Sequence, residues 1–129
     1  MKTREEIEEV AKHLVDCMVK VHRLLGPGLL ESTYQACLAH ELRSRGFDVR
    51  CEVTLPVRYA GIEIEAGYRI DMLVEDCIIV ENKSVQAVPP IYEAQLLTYL
   101  KLSGRKLGFL VNWNVLLIKD GIKRMVNDL

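Results

Sequence analysis

The chain has 129 residues, half of them apolar, which is enough for one domain with an aliphatic core and too few for two ordinary cores. Lys and Arg number 17 against 18 Asp and Glu, a net charge of −1, so the chain lacks the basic excess of a high-affinity, non-specific DNA binder. No apolar run approaches the roughly 20 residues a membrane span needs, and the charged start Met-Lys-Thr-Arg-Glu-Glu is not a signal peptide.

In chain order, Ile7, Val10, Ala11, Leu14, Cys17, Met18, Val21, Leu24 and Leu25 recur at three- and four-residue steps. That is the period of a long helix with one buried face. Thr3 and Glu6 have capping-box spacing at its start, and Gly26-Pro27-Gly28 ends it. A second helix is predicted from about Leu29 to Arg45, with Gly46 as its C-terminal cap.

The period then changes to two. Val49, Cys51, Val53, Leu55 and Val57 alternate with mostly polar residues, and Pro56 suggests an edge or a bulge. Ile62 and Ile64 start a second strand that Gly67 interrupts or bends, followed by Tyr68–Val74. Glu75-Asp76 is the expected turn into Cys77–Lys83. Pro89-Pro90 opens a third helix, about Ile91 to Leu102, with Gly104 after it. Leu107, Phe109 and Val111 mark another strand. Asp120-Gly121, between Leu116–Ile118 and Ile122–Val126, is a two-residue hairpin signal. The order is two helices, three strands, a helix, then a strand and a hairpin. It reads as a mixed α/β domain, residues 1–129, with helices covering a sheet.

Cysteines stand at 17, 37, 51 and 77 without a C-x-x-C pair, which fits reduced thiols in a cytoplasmic protein. His13 and Cys17 lie one turn apart, and two ligands do not make a zinc site. His22 either contacts a phosphate or packs and caps beside the glycine turn. Lys119, Lys123 and Arg124 form either a small basic rim or a solvated strand edge.

One constellation carries chemistry. Strand alternation sets Asp71 on a face with Arg69 and Leu73, and Glu81 and Lys83 on a face with Ile79. A hairpin through Glu75-Asp76 makes the two strands neighbours, so Asp71 lies near Glu81 with Lys83 beyond. Two such charges about 4 Å apart, at an effective dielectric near 20, repel by roughly 4 kcal/mol. They need a cation or a proton. Lys83 offers one positive charge, and hard oxygen donors favour Mg²⁺ or Mn²⁺. A salt bridge between Lys83 and a carboxylate is the plainer alternative. Arg69 is either a phosphate contact or an ion-pair partner.

Asp71 with Glu81-Asn82-Lys83 resembles the PD-(D/E)xK nuclease motif. Gly28-Leu29-Leu30-Glu31-Ser32-Thr33-Tyr34 is similar to the G-x-x-E-x-x-Y signature of a small bacterial and archaeal family in that superfamily. Val21–Pro27, Gly67–Asp71, Glu93–Leu100 and Lys119–Ile122 also resemble that family, so the likeness covers about residues 5 to 126. It implies a restriction-endonuclease-like core, a mixed sheet flanked by helices. It implies hydrolysis of phosphodiester bonds in nucleic acid, DNA or RNA, with Mg²⁺ or Mn²⁺. Asp71 and Glu81 are then the principal metal ligands. Glu31 adds a metal contact, direct or through water, and Lys83 orients or activates the attacking water. Gln95 resembles the helical Gln of a Q-x-x-x-Y motif, with Tyr99 one turn later.

Two positions depart from the pattern. Asn82 stands where the motif is usually apolar, and Tyr92 stands where relatives often carry His. By analogy with nucleases of this fold, a homodimer is expected, which places two sites on one substrate. The competing reading is a non-catalytic nuclease fold used as a nucleic-acid-binding or assembly module.

Overall fold

In the computed structural model, which describes residues 1–129, the N-terminal half of the sheet's cover forms first along the chain. Helix α1 spans Arg4–Leu25. The Thr3 hydroxyl accepts the Glu6 N–H at 3.1 Å, and the Thr3 N–H donates to the Glu6 carboxylate at 2.8 Å. This reciprocal pair satisfies two of the free donors at the helix start. The periodic residues Ile7, Val10, Ala11, Leu14, Cys17, Met18 and Val21 are buried along one face, while Leu24 and Leu25, expected on it, are exposed at the helix end. Helix α2 spans Glu31–Ser44 and buries Tyr34, Leu38, Ala39 and Leu42 against the same core.

The five-stranded sheet runs β1 (Val49–Thr54), β4 (Arg69–Val74), β5 (Ile78–Lys83), β6 (Leu107–Asn112), β7 (Ile122–Val126) in space, with β2 (Val57–Tyr59) and β3 (Ile62–Ile64) paired separately. Only β5 and β6 are parallel. Helix α3 (Pro90–Ser103) makes the crossover between them, and Gly104 ends it in the left-handed conformation. The β4–β5 hairpin forms at Glu75-Asp76 as expected. Both residues have positive φ, 51° and 54°, which matches the twist of the strands they join.

Helices α1 and α2 cover one face and α3 covers the other. The first layer encloses 21 buried residues and the second only 8, so the α3 layer is the thinner one. No helix is long and apolar enough to cross a membrane. All four cysteines are free thiols, Cys17 buried and the others half-buried.

Two expectations from the sequence are corrected. The strand expected through Val57 stops at Thr54. Leu55 turns inward to the α3 layer and donates its N–H to the Tyr68 carbonyl at 2.9 Å, and Pro56 has no N–H to continue a ladder. Residues 57–64 then pair only with each other, as a small exposed hairpin.

The second correction concerns the end of the chain. Leu116–Ile118 is not a strand, and Asp120-Gly121 is not a hairpin turn. Ile118–Asp120 forms a 3₁₀ turn, Ile118 buries, and β7 pairs with β6 across the longer loop 113–121. Gly121 has φ −103°, so it is not there for left-handed freedom. A Cβ at this position would stand 2.0 Å from the Asn112 carbonyl oxygen. Glycine is needed because two backbone segments touch.

Candidate metal centre and cleft

The ladder between β4 and β5 runs Val74↔Ile78, Leu73↔Ile79, Met72↔Val80, and stops there. One residue on, side chains replace the backbone bonds. The Asp71 N–H donates to the Glu81 carboxylate at 2.8 Å, and the Asn82 N–H donates to the Asp71 carboxylate at 2.8 Å. Meanwhile β5 stays paired with β6 as far as Lys83↔Asn112. The sheet therefore opens on one side of β5 only. Each carboxylate has one oxygen anchored by an amide and the other without a protein partner.

The pair is under-neutralised. Glu81 is only 5% exposed. Burial, reinforced by the Asp71 charge, pushes its carboxyl up from 4.5 to about 8, against the Asp71 N–H and Lys83. Asp71 is raised as well, chiefly by burial. The Asn82 N–H and Lys83 oppose that shift, while Glu52 and Glu31 add to it. The salt bridge considered for Lys83 does not form. Its ammonium sits 4.4 Å from the centre of the Tyr92 ring, a cation–π contact, and no carboxylate is within ion-pair distance. Tyr92, where relatives often carry His, thus receives the lysine.

Asp71 and Lys83 line a cleft of about 680 Å³ whose other walls include Leu30, Glu31, Gln35 and Glu52. Local folding brings Glu31 there. The Tyr34 hydroxyl donates to the Gly26 carbonyl at 2.5 Å and accepts the Leu29 N–H at 3.1 Å, which closes the glycine turn. Gly28 supplies the positive φ of 94° that the turn requires. The Ser84 hydroxyl then ties the Leu29 carbonyl to the end of β5 at 2.7 Å. Glu31, the first residue of α2, is exposed on the cleft wall.

Strict alternation does not hold at the site. Ile70 and Leu73 both pack in the α3 layer, while Met72 packs under α1 and α2. The partner strand slips in the same place: Cys51 packs toward α1 and α2, and Val53 toward α3. Glu52, between them, has φ 54°. The slip turns Asp71 toward the α2 side of the opening and separates it from Arg69. That arginine is exposed and makes no ion pair, so the ion-pair role considered for it does not form.

Gln95 is half-buried on α3 and makes no side-chain hydrogen bond, and neither it nor the buried Glu81 is among the residues that line the cleft. Helix α3 instead approaches the carboxylates through Tyr99, whose hydroxyl is raised by burial and by Glu81, Tyr68 and Asp71. His22 is buried and its Nε2 donates to the Val115 carbonyl at 2.9 Å, the packing role. Around the last strand, Arg124 pairs with Glu8 and Lys123 with Glu93, so those cations are not a free basic rim. A hollow of about 720 Å³ at the opposite end of β5 pairs its own charges, Lys2 with Glu75 and Arg105 with Asp76.

Do these residues suit a divalent cation? No three His, Cys, Asp or Glu side chains converge on one point. Asp71 and Glu81 do converge, with free oxygens and no paired cation. One or two carboxylates completed by water is the usual environment of Mg²⁺. The donor set therefore fits a hydrated Mg²⁺ or Mn²⁺, with Glu31 outside the pair, on the wall.

Glu52 is the residue that sequence reading missed. Nothing in its strand pattern marks it, because its place in the cleft depends on the positive φ.

A model of the PD-(D/E)XK nuclease superfamily matches residues 8–125. Neither the curated proteins nor the solved structures contain a match.

Proposed function

We propose that this chain, which belongs to the PD-(D/E)XK nuclease superfamily, hydrolyses phosphodiester bonds in nucleic acid, DNA foremost, with Mg²⁺ or Mn²⁺ held by Asp71 and Glu81. The observation that carries the reading is the opened ladder at Asp71 and Glu81, where a half-buried and a buried carboxylate keep free oxygens and no ion-pair partner. Within the superfamily, the G-x-x-E-x-x-Y family is the best fit. Gly28 and Tyr34 build the turn that delivers Glu31 to the cleft, which gives all three signature residues a physical task.

When bound, the cation offsets charge on the phosphoryl oxygens and makes a coordinated water more acidic. The rest falls to the chain's own residues. Lys83, steadied by the Tyr92 ring, presents N–H donors and one positive charge beside Asp71. In that position it orients the attacking water and meets charge building on the phosphate. Glu31 accepts hydrogen bonds from water on the facing wall. The start of α2 has no side-chain cap, so its free N–H groups add a weak positive end near the cleft.

The test is incubation of supercoiled and linear DNA, and of RNA, with Mg²⁺ or Mn²⁺, comparing wild type with Lys83→Ala. Lys83→Ala should lose about a hundredfold or more in rate, the scale of one lost transition-state contact. Equal degradation by both preparations would assign the activity to a contaminant. The same reading includes a homodimer acting on one duplex, and light scattering that shows a monomer at high concentration removes that part alone. The second reading, a non-catalytic assembly module, is favoured by one observation. Leu24, Leu30, Leu116 and Leu117 stand exposed, Leu116 at 88%.

A further inference from the structure

Asn82 is the odd residue of the motif, polar where an apolar side chain is usual, and it is buried at 2% exposure. Burying an amide costs free energy unless its donors and acceptors are met. Here they are met by a chain of contacts that leads back to the cleft. The Trp113 indole N–H donates to the Asn82 side-chain oxygen at 2.9 Å. The Asn82 amide group donates to the Gln35 side-chain oxygen at 3.3 Å and lies 3.2 Å from the Met72 sulfur. The Gln35 amide group donates to one Glu52 carboxylate oxygen at 3.0 Å. Trp113 is itself fully buried and stacked on Tyr34 with ring centres 4.9 Å apart and planes 5° from parallel.

The relay therefore starts in the core, passes behind β5 between the two motif residues Glu81 and Lys83, and emerges at a carboxylate on the cleft wall. Its end point is backbone-strained. A non-glycine residue at φ 54° costs on the order of 1 kcal/mol, and such cost in a strand tends to be kept where it serves a site. The other Glu52 oxygen has no protein partner. Glu52 shares the cleft with Asp71, Glu31 and Lys83.

We infer that Glu52 is a positioning residue of the metal centre, set by the Trp113–Asn82–Gln35 relay to accept hydrogen bonds from water on a cation held by Asp71 and Glu81. Mg²⁺ keeps several of its waters when it binds protein, and outer carboxylates that hold those waters orient the ion. The inference rests on the metal reading above and deepens it. It also explains Asn82: an apolar residue there would leave Trp113 Nε1 without its acceptor and the Gln35 side-chain oxygen without its donor, which loosens the amide that holds Glu52.

The experiment is calorimetric titration of the full chain with MgCl₂, with thermal unfolding run on each variant to show that it is folded. Loss of an outer-sphere partner typically weakens metal affinity by 10- to 100-fold. Glu52→Gln should fall in that range, and Glu52→Asp should recover most of the loss because the charge returns. Gln35→Leu, half-exposed and tolerant of the change, should weaken binding several-fold in the wild-type background and not at all in the Glu52→Gln background. Asn82→Leu should do the same, at an added cost in stability from the orphaned indole. Wild-type affinity in Glu52→Gln overturns the inference and leaves the metal reading standing. So does a Gln35→Leu effect that persists unchanged without Glu52. Wild type that takes up no Mg²⁺ overturns both.

Discussion

Glu81→Gln should make the metal-free protein more stable than wild type at alkaline pH and unable to take up Mg²⁺. The two effects have one origin. In the folded chain the Glu81 carboxyl is pushed from 4.5 to about 8, first by burial and then by the Asp71 charge. Between those two values the folded state holds a proton that the unfolded state has released. The Glu81 contribution to wild-type stability is therefore fully present below about pH 4.5 and falls as pH rises to about 8, after which it is spent. At about 1.4 kcal/mol per pH unit, the window amounts to roughly 5 kcal/mol as an upper bound.

Glutamine imitates the protonated form at every pH, and its side-chain oxygen can still accept the Asp71 N–H. The stability difference should therefore open between pH 5 and 8 and stay level beyond. Urea unfolding in EDTA at pH 5, 7 and 9 measures it. Wild type and variant curves that fall in parallel would show that Glu81 is not the group under strain. Added Mg²⁺ should then stabilise only the wild type, by about 1.4 kcal/mol for each tenfold excess over Kd. A cation and a proton compete for the same pair, so wild-type Mg²⁺ affinity should rise through the same pH window.

Gly121→Ala should cost about 3 kcal/mol or more, a larger loss than most single substitutions cause. The added Cβ would lie 2.0 Å from the Asn112 carbonyl oxygen and 3.0 Å from Val115 Cγ2. The backbone has little room to retreat. Asn112 donates its N–H to the Gly121 carbonyl at 2.8 Å, and its side chain binds Val85 through both the N–H and the carbonyl, at 3.1 and 3.0 Å. Gly61→Ala is the contrast. It has φ 83° and nothing within 4 Å, so its cost is conformational alone, about 1 kcal/mol. Chemical denaturation of both variants separates the two causes. A Gly121→Ala midpoint equal to wild type would mean that loop 113–121 moves freely, contrary to its packing.

The same glycine shows how far local pattern reaches. Asp120-Gly121 has the composition of a tight hairpin turn, and Glu75-Asp76 does not, yet the hairpin is at Glu75-Asp76. Between β4 and β5 the flanking runs are apolar, β5 strongly β-branched, and both bury, so pairing dictates the turn. Before β7 the flanking leucines have no neighbouring strand to pair with, and the indole of Trp113 and the side chain of Ile118 draw the loop into the core instead. The face expected to carry both Arg69 and Asp71 is lost for a related reason. Alternation is a property of a regular strand, and β4 is irregular at Asp71, where its ladder partner is a side chain.

By itself the sequence determined the helices, whose caps and 3.6-residue period are local, and the pairing of Asp71 with Glu81, which follows from strand length and one turn. It also marked Glu31 and Lys83 through motif spacing. Only the tertiary structure decided that the ladder opens between β4 and β5, that Lys83 rests on Tyr92 rather than on a carboxylate, and that Gln95 stays off the cleft. It alone joined Asn82 to Glu52. The physical reason is range. Periodicity and capping depend on residues within one turn, whereas desolvation, ring contacts and buried hydrogen bonds depend on which distant segments meet. Glu52 and Gln35 are 17 positions apart, and Asn82 and Trp113 are 31 apart.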